Sequence, residues 1–105
     1  MSTPIAFLNG QYVPLADAKV GIMTHALHYG TAVFEGVRGN WNADRQQMYI
    51  FKLREHYERM LRGCKLLWIE MPYSLEDLCS ITVEVVERSG FKEDVYIRPC
   101  LLYTS

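Results

Sequence analysis

The sequence predicts an α+β domain in which two helices pack on a largely antiparallel sheet. Three observations indicate this fold class. Short strand-like apolar stretches come first, two segments with helical spacing follow them, and an Asn-Gly dipeptide near the start marks a tight hairpin turn. The 105 residues, half of them hydrophobic, are enough for one domain with one core.

The composition argues against several classes of protein. A formal net charge of −1 creates no field for nucleic acid or anionic lipid, and no apolar run approaches the roughly 20 residues of a membrane span. We expect no secretory signal in the first ten residues. Cys64, Cys79 and Cys100 lie far apart in apolar stretches, so we interpret them as reduced core residues of a cytoplasmic protein.

The first half of the chain predicts strands. Residues 5–15 predict a hairpin, because Asn9-Gly10 suits a type I′ turn. Residues 16–30 are mixed in character and indicate a loop with a short helical turn. Strands follow at 31–39 and 47–52, and the polar segment 40–47 between them predicts a hairpin loop.

The second half predicts helices and a last strand. Apolar residues at steps of three and four predict a helix over roughly 52–69. Ser74 with Asp77 resembles a capping box that starts a second helix, which ends at Ser89-Gly90. A strand covers about 94–104, and because this apolar strand ends the sequence we expect a longer protein.

Alternation in two strands suggests a binding surface. One face carries Phe34, Gly36 and Arg38, and in the last strand one face carries Tyr96, Arg98, Cys100 and Leu102. If these faces meet, they form a pocket with an apolar lining and guanidinium groups suited to a carboxylate or phosphate. The alternative is two surface arginines on solvated faces. Pro99 predicts that its strand lies at an edge or bends.

Other chemistries find less support. His25 and His28 are three residues apart, but no third ligand has a suitable spacing, so we predict no metal site. The spacing from Gly30 to Gly36 lacks the lysine and hydroxyl of a phosphate-binding P-loop. The arginines of the first predicted helix fit a charged outer face or, alternatively, one guanidinium turned inward to a phosphate. No serine, cysteine or threonine lies in a recognisable nucleophile motif.

One motif carries a family resemblance. "HALHYGTAVFEGVR" at 25–38 resembles the branched-chain amino acid aminotransferases, which are fold-type IV pyridoxal-phosphate enzymes. The segments "NG" at 9–10, "DAKV" at 17–20, "REHYER" at 54–59 and "YIRP" at 96–99 extend the resemblance in the same order. It covers only the family's small N-terminal domain. We therefore expect residues 1–105 to form a single α+β domain of a longer two-domain chain.

The resemblance implies roles for three residues around the cofactor and the apolar substrate. Arg59 matches the residue that binds the phosphate of pyridoxal 5′-phosphate. Phe34 matches an aromatic that lines the pocket for the branched side chain. Tyr29 matches a tyrosine lent to the neighbouring subunit's site, which implies a homodimer.

The resemblance also implies a site for the second substrate. Tyr96 and Arg98 match the pair that receives the distal carboxylate of glutamate, and Arg38 matches an arginine at the pocket edge. The expected reaction exchanges amino groups between leucine, isoleucine or valine and 2-oxoglutarate. The alternatives are another fold-type IV enzyme, such as a D-amino acid aminotransferase or an aminodeoxychorismate lyase, or a non-catalytic binding or oligomerisation module.

The family's catalytic lysine lies in its larger C-terminal domain. The four lysines here, Lys19, Lys52, Lys65 and Lys92, do not match the context of that lysine. We therefore predict that residues 1–105 alone cannot transaminate and contain no catalytic residue.

Overall fold

The computed structural model describes residues 3–19 and 32–102. The described strands are β1 (Ile5–Leu8), β2 (Gln11–Pro14), β3 (Ala32–Phe34), β4 (Val37–Asn42), β5 (Gln47–Ile50), β6 (Val95–Ile97) and β7 (Cys100–Leu102). The described helices are α1 (Leu53–Leu66) and α2 (Leu75–Ser89), with a 3-10 turn at Leu15–Asp17. All described strand pairs are antiparallel, which confirms the α+β prediction. His25, His28 and Tyr29 lie outside the described residues.

The predicted amino-terminal hairpin is confirmed. Strands β1 and β2 pair from Ile5 opposite Pro14 to Leu8 opposite Gln11, and both turn residues have positive φ, as a type I′ turn requires. The hairpin is joined to the end of α2, because the Ile5 amide donates to Ser89 Oγ at 3.0 Å.

The strand pairs β3–β7 and β4–β6 are separated by a break at the same point in both chain segments. Phe34 lies opposite Cys100 and Val37 lies opposite Ile97, so the register is the same on both sides of the break. At the break, the Glu35 amide donates to the Pro99 carbonyl at 3.1 Å. Proline has no N–H to return a second bond, so the pairing stops there. The two long strands predicted at 31–39 and 94–104 are therefore each divided in two.

The predicted loop at 40–47 is too long. Strand β4 continues to Asn42, and the turn to β5 occupies only residues 43–46. Trp41 is held in the strand because its amide donates to Asp94 Oδ1 at 2.7 Å. In the described three-stranded sheet the strand order is β5-β4-β6, so β6 lies at an edge. This agrees with the prediction that the strand around Pro99 lies at an edge or bends.

Helix α2 begins and ends as predicted. The Ser74 side chain accepts from the Asp77 amide at 3.1 Å, the Asp77 carboxylate accepts from the Ser74 amide, and Gly90 ends the helix with φ 69°. Helix α1 is shorter than predicted and ends at Leu66. Neither described helix is both long enough and apolar enough to cross a membrane.

The core lies where the helices meet the sheet. Its buried members are Tyr57, Met60 and Leu78, and Val33 and Leu101 pack against them from the strand pair β3–β7. The cysteine prediction is only partly right. Cys64 is buried and Cys79 is half-buried, but Cys100 is exposed because it follows the outward alternation of the last strand.

Trp68 occupies an unfavourable backbone position at the end of α1. Its amide donates to the Lys65 carbonyl and the next amide, of Ile69, donates to the Cys64 carbonyl, a pairing that usually has glycine in the left-handed position. Trp68 has φ 58° and is 95% exposed.

We expect Trp68→Gly to raise the free energy of unfolding by about 1 kcal/mol, because glycine adopts the left-handed conformation without a steric cost. Urea denaturation of the purified protein measures the change. Leu67→Gly is the matched control, since Leu67 is exposed and has φ −96°, where glycine brings no advantage. A Trp68→Gly variant less stable than the parent protein would contradict the expectation.

Candidate functional site

Three predicted site residues come together on one face of the central strands. Phe34 and Tyr96 are 57% and 64% exposed, and the Arg98 guanidinium lies over both rings, 5.1 Å from the Phe34 centroid and 5.6 Å from that of Tyr96. Arg98 Nη2 also lies 3.5 Å from Tyr96 Oη, within reach of a weak hydrogen bond. We call Phe34, Tyr96 and Arg98 the aromatic–arginine wall.

Two backbone positions complete this face. Arg38 lies directly opposite Tyr96 in the pairing of β4 and β6, and its side chain is exposed. Gly36 lies beneath the Tyr96 ring. Within residues 3–19 and 32–102, no carboxylate lies within ion-pair distance of Arg38 or Arg98. The wall therefore combines an apolar surface with positive charge that no described acidic side chain neutralises.

Arg59 lies on the opposite face of the same strands, against Glu35. Arg59 donates through Nε to Glu35 Oε2 at 2.8 Å and through Nη2 to Glu35 Oε1 at 2.7 Å, a bidentate pair. His56, one turn earlier on α1, places Nδ1 2.8 Å from Glu35 Oε1. Glu35 is 8% exposed, whereas the Arg59 side chain is 64% exposed.

The two partners stabilise the ionised form of Glu35. The hydrogen bonds from Arg59 lower the pKa of the Glu35 carboxyl to about 2, and His56 contributes to the lowering, against the opposing effect of burial. The carboxylate is therefore only an acceptor at neutral pH, so Nδ1 of His56 carries the hydrogen in this contact.

The structure thus separates the predicted residues into two groups. Phe34, Tyr96 and Arg98 form one surface with Arg38 beside them, as the alternation predicted. Arg59 is on the other side of the strand, where it pairs with Glu35, so it is not a purely solvated arginine. Tyr29 lies outside the described residues. No group of three metal-ligating side chains occurs within 3–19 and 32–102.

Sequence reasoning missed Glu35 and His56 as members of the site. A signal existed, because alternation places Glu35 on the same face as Val33 and Val37, and Val37 is fully buried. An acidic side chain on a buried face needs a cation. His56 and Arg59 are three residues apart and so share one side of α1.

The chain is similar to several known proteins in sequence and in fold. A family model described as amino-transferase class IV matches residues 32–105. A probable branched-chain-amino-acid aminotransferase of Aquifex aeolicus is 49% identical over 98 residues, which cover 93% of this chain and 32% of that protein. The chain spans about a third of the length of the curated relatives it matches.

Solved structures of the same kind superpose closely. A branched-chain aminotransferase of Thermoproteus uzoniensis with norvaline has a TM-score of 0.89 and 41% identity, covering 100% of this chain and 34% of that one. A branched-chain amino acid aminotransferase of Thermobaculum terrenum, in its PLP form, has a TM-score of 0.86 and 30% identity. That match covers 96% of this chain and 33% of the other.

Proposed function

The chain belongs to the class IV aminotransferase family, and from this premise we propose that it contributes one wall of the active site of a branched-chain amino acid transaminase. The reaction transfers the amino group of leucine, isoleucine or valine to 2-oxoglutarate, or runs in reverse. The relatives are about three times as long as this chain, so the proposal concerns a longer gene product of which these residues are the amino-terminal part.

The aromatic–arginine wall carries this proposal. One pocket of such an enzyme must accept an apolar side chain in one half-reaction and a carboxylate in the other. Phe34 and Tyr96 offer apolar ring surface, and the Arg98 guanidinium lies on that surface without a described carboxylate partner. A guanidinium suits the distal carboxylate of glutamate, since it can donate two parallel hydrogen bonds.

Arg59 fits the phosphate of pyridoxal 5′-phosphate. Its Nε and Nη2 are paired with Glu35, and three of its five N–H donors lie outside that pair. Because Glu35 fixes the orientation of the guanidinium plane, the remaining edge is positioned for a phosphate on the exposed side. When bound, the cofactor supplies the electron sink for the reaction, and a lysine outside this chain would hold it.

The exposure of the aromatic–arginine wall also argues for a partner subunit that covers it. Phe34 and Tyr96 are more than half exposed here, so other residues must close the pocket around a substrate. We propose a homodimer in which Tyr29 contributes to the neighbouring subunit's site. We place the enzyme in the cytoplasm, where free cysteines remain reduced.

The Arg98→Met variant of the complete gene product tests the substrate assignment. We expect the KM for 2-oxoglutarate to rise by about 10- to 100-fold, because a charge-assisted hydrogen bond to the carboxylate is lost. Exchange between leucine and 2-oxoisovalerate contains no dicarboxylate, so its kcat/KM should change by less than about threefold.

Arg45→Met is the control, because Arg45 is an exposed arginine in the turn between β4 and β5. It should alter neither reaction. Turnover of D-amino acids instead of leucine would favour the D-amino acid aminotransferases, and a complete gene product without any turnover would favour the binding module. Equal loss of both reactions in Arg98→Met would contradict the proposal that Arg98 binds the distal carboxylate.

A further inference from the structure

The Tyr96 ring occupies the space that a side chain at position 36 would need. A Cβ atom built on Gly36 would lie 1.9 Å from Tyr96 Oη, 2.7 Å from Cζ and 3.1 Å from Cε2. Ordinary van der Waals contacts of a Cβ begin at about 3.4 Å. Tyr96 itself is paired with Arg38, so its ring must lean diagonally across the strands to reach Gly36.

The need for glycine at this position comes from Tyr96 and not from the backbone. The described glycines with positive φ are Gly10 and Gly90, and Gly36 is not among them. A residue with a side chain could therefore adopt the Gly36 conformation without backbone strain. The obstacle is a rigid aromatic ring, which cannot shorten or bend as a flexible side chain would.

The contact extends to Arg98. The same ring that covers Gly36 lies beneath the Arg98 guanidinium, and the Tyr96 hydroxyl lies 3.5 Å from Arg98 Nη2. Register places Gly36 directly opposite Arg98, since the pairing of β3 with β7 and of β4 with β6 follows one continuous alignment. A side chain at position 36 would therefore move Tyr96 toward solvent and remove one of the two rings that support Arg98.

We propose that Gly36 is a positioning residue for dicarboxylate recognition: its lack of a side chain holds the Tyr96 hydroxyl and the Arg98 guanidinium in place. This inference rests on the proposed transaminase function. The atoms nearest to a Cβ at position 36 all belong to Tyr96 and none to Phe34, so the Phe34 surface should survive a substitution there. Gly36 thus acts on the half of the wall formed by Tyr96 and Arg98, and the Phe34 half of the apolar surface stays in place.

The experiment is a double-mutant cycle in the complete gene product, with Gly36→Ala, Tyr96→Ala and the combined variant. We expect Gly36→Ala alone to raise the KM for 2-oxoglutarate about tenfold or more, and to reduce leucine/2-oxoisovalerate exchange by a clearly smaller factor, because the Phe34 surface remains. In the Tyr96→Ala background, the added alanine at 36 should change either reaction by less than about twofold, because the ring that it would displace is absent.

Stability provides a readout that does not depend on activity. Thermal midpoints of the same four proteins should show the same coupling, with Gly36→Ala destabilising only when Tyr96 is present. If Gly36→Ala fails to fold and the double variant folds, the steric coupling is supported. Additive effects in the cycle, equal loss of both reactions, or failure of both variants to fold would overturn the proposal.

If the proposed transaminase function is wrong, the same experiment gives a different result. In that case the parent protein would not transaminate leucine at all, while the coupling of positions 36 and 96 would still be measurable in the thermal midpoints.

Discussion

The Glu35→Gln variant is expected to bind pyridoxal 5′-phosphate about tenfold more weakly than the parent enzyme and to unfold more easily. The carboxylate accepts both hydrogen bonds of the bidentate pair with Arg59 and the contact from His56. A neutral amide keeps the shape but has only one acceptor oxygen, so it cannot accept from both Arg59 and His56 as the carboxylate does, and Arg59 loses its fixed orientation. Cofactor titration of the complete apoenzyme, followed by absorbance, measures the affinity.

Glu84→Gln is the matched control. Glu84 pairs with Arg88 at 3.5 Å on the surface of α2, where an exposed ion pair adds little. It should bind the cofactor as the parent enzyme does. Unchanged cofactor affinity in Glu35→Gln would contradict the view that Glu35 orients Arg59.

Glu35→Gln should also change how the free energy of unfolding depends on pH in the acid range. The pKa of Glu35 falls from an ordinary 4.5 to about 2 on folding, so its ionisation stabilises the folded state above pH 4.5. That contribution, at most about 3 kcal/mol and reduced by solvent around the exposed Arg59, is lost as the pH falls from about 4.5 to about 2. The stability difference between parent and Glu35→Gln should therefore shrink over this range. A difference that stays constant with pH would mean that folding does not change the pKa of Glu35.

The Met60→Ala variant is expected to lower the free energy of unfolding by about 2–5 kcal/mol, because it leaves a cavity where the helices meet the sheet. Met60 is 2% exposed and packs with Tyr57 and Leu78. It follows Arg59 directly on α1, so loss of packing should also loosen the Arg59–Glu35 pair. Chemical denaturation measures the loss of stability.

Arg62→Ala serves as the control for Met60→Ala. Arg62 lies on the same helix, is exposed, and should change the stability by less than about 0.5 kcal/mol. A loss below about 1 kcal/mol in Met60→Ala would show that the core collapses around the missing side chain.

Much of the fold follows from local sequence patterns. Asn9-Gly10 specifies its turn, Ser74 and Asp77 specify the start of α2, and side-chain alternation assigns Phe34 and Glu35 to opposite faces. These features depend on neighbours in the chain, and the structure confirms them.

The features that sequence did not predict depend on distant partners. Pro99 interrupts two strands at once because Glu35 lies opposite it, and that pairing cannot be seen in either strand alone. Arg59 could be assigned to solvent or to a phosphate, but its pairing with Glu35 requires knowing how α1 packs on β3. The apolar neighbours of Cys100 predict a core residue, although its face of the strand turns outward.

The placement of Phe34 and Glu35 on opposite sides of one strand has an evolutionary consequence. Adjacent codons would govern different properties of the enzyme, substrate choice through Phe34 and cofactor retention through Glu35. In the proposed enzyme, substitutions on the exposed face would change which substrates are accepted one position at a time, while the buried Glu35 carboxylate keeps its contacts with Arg59 and His56. If the proposed roles hold, new specificities would arise in this fold through intermediates that still bind the cofactor.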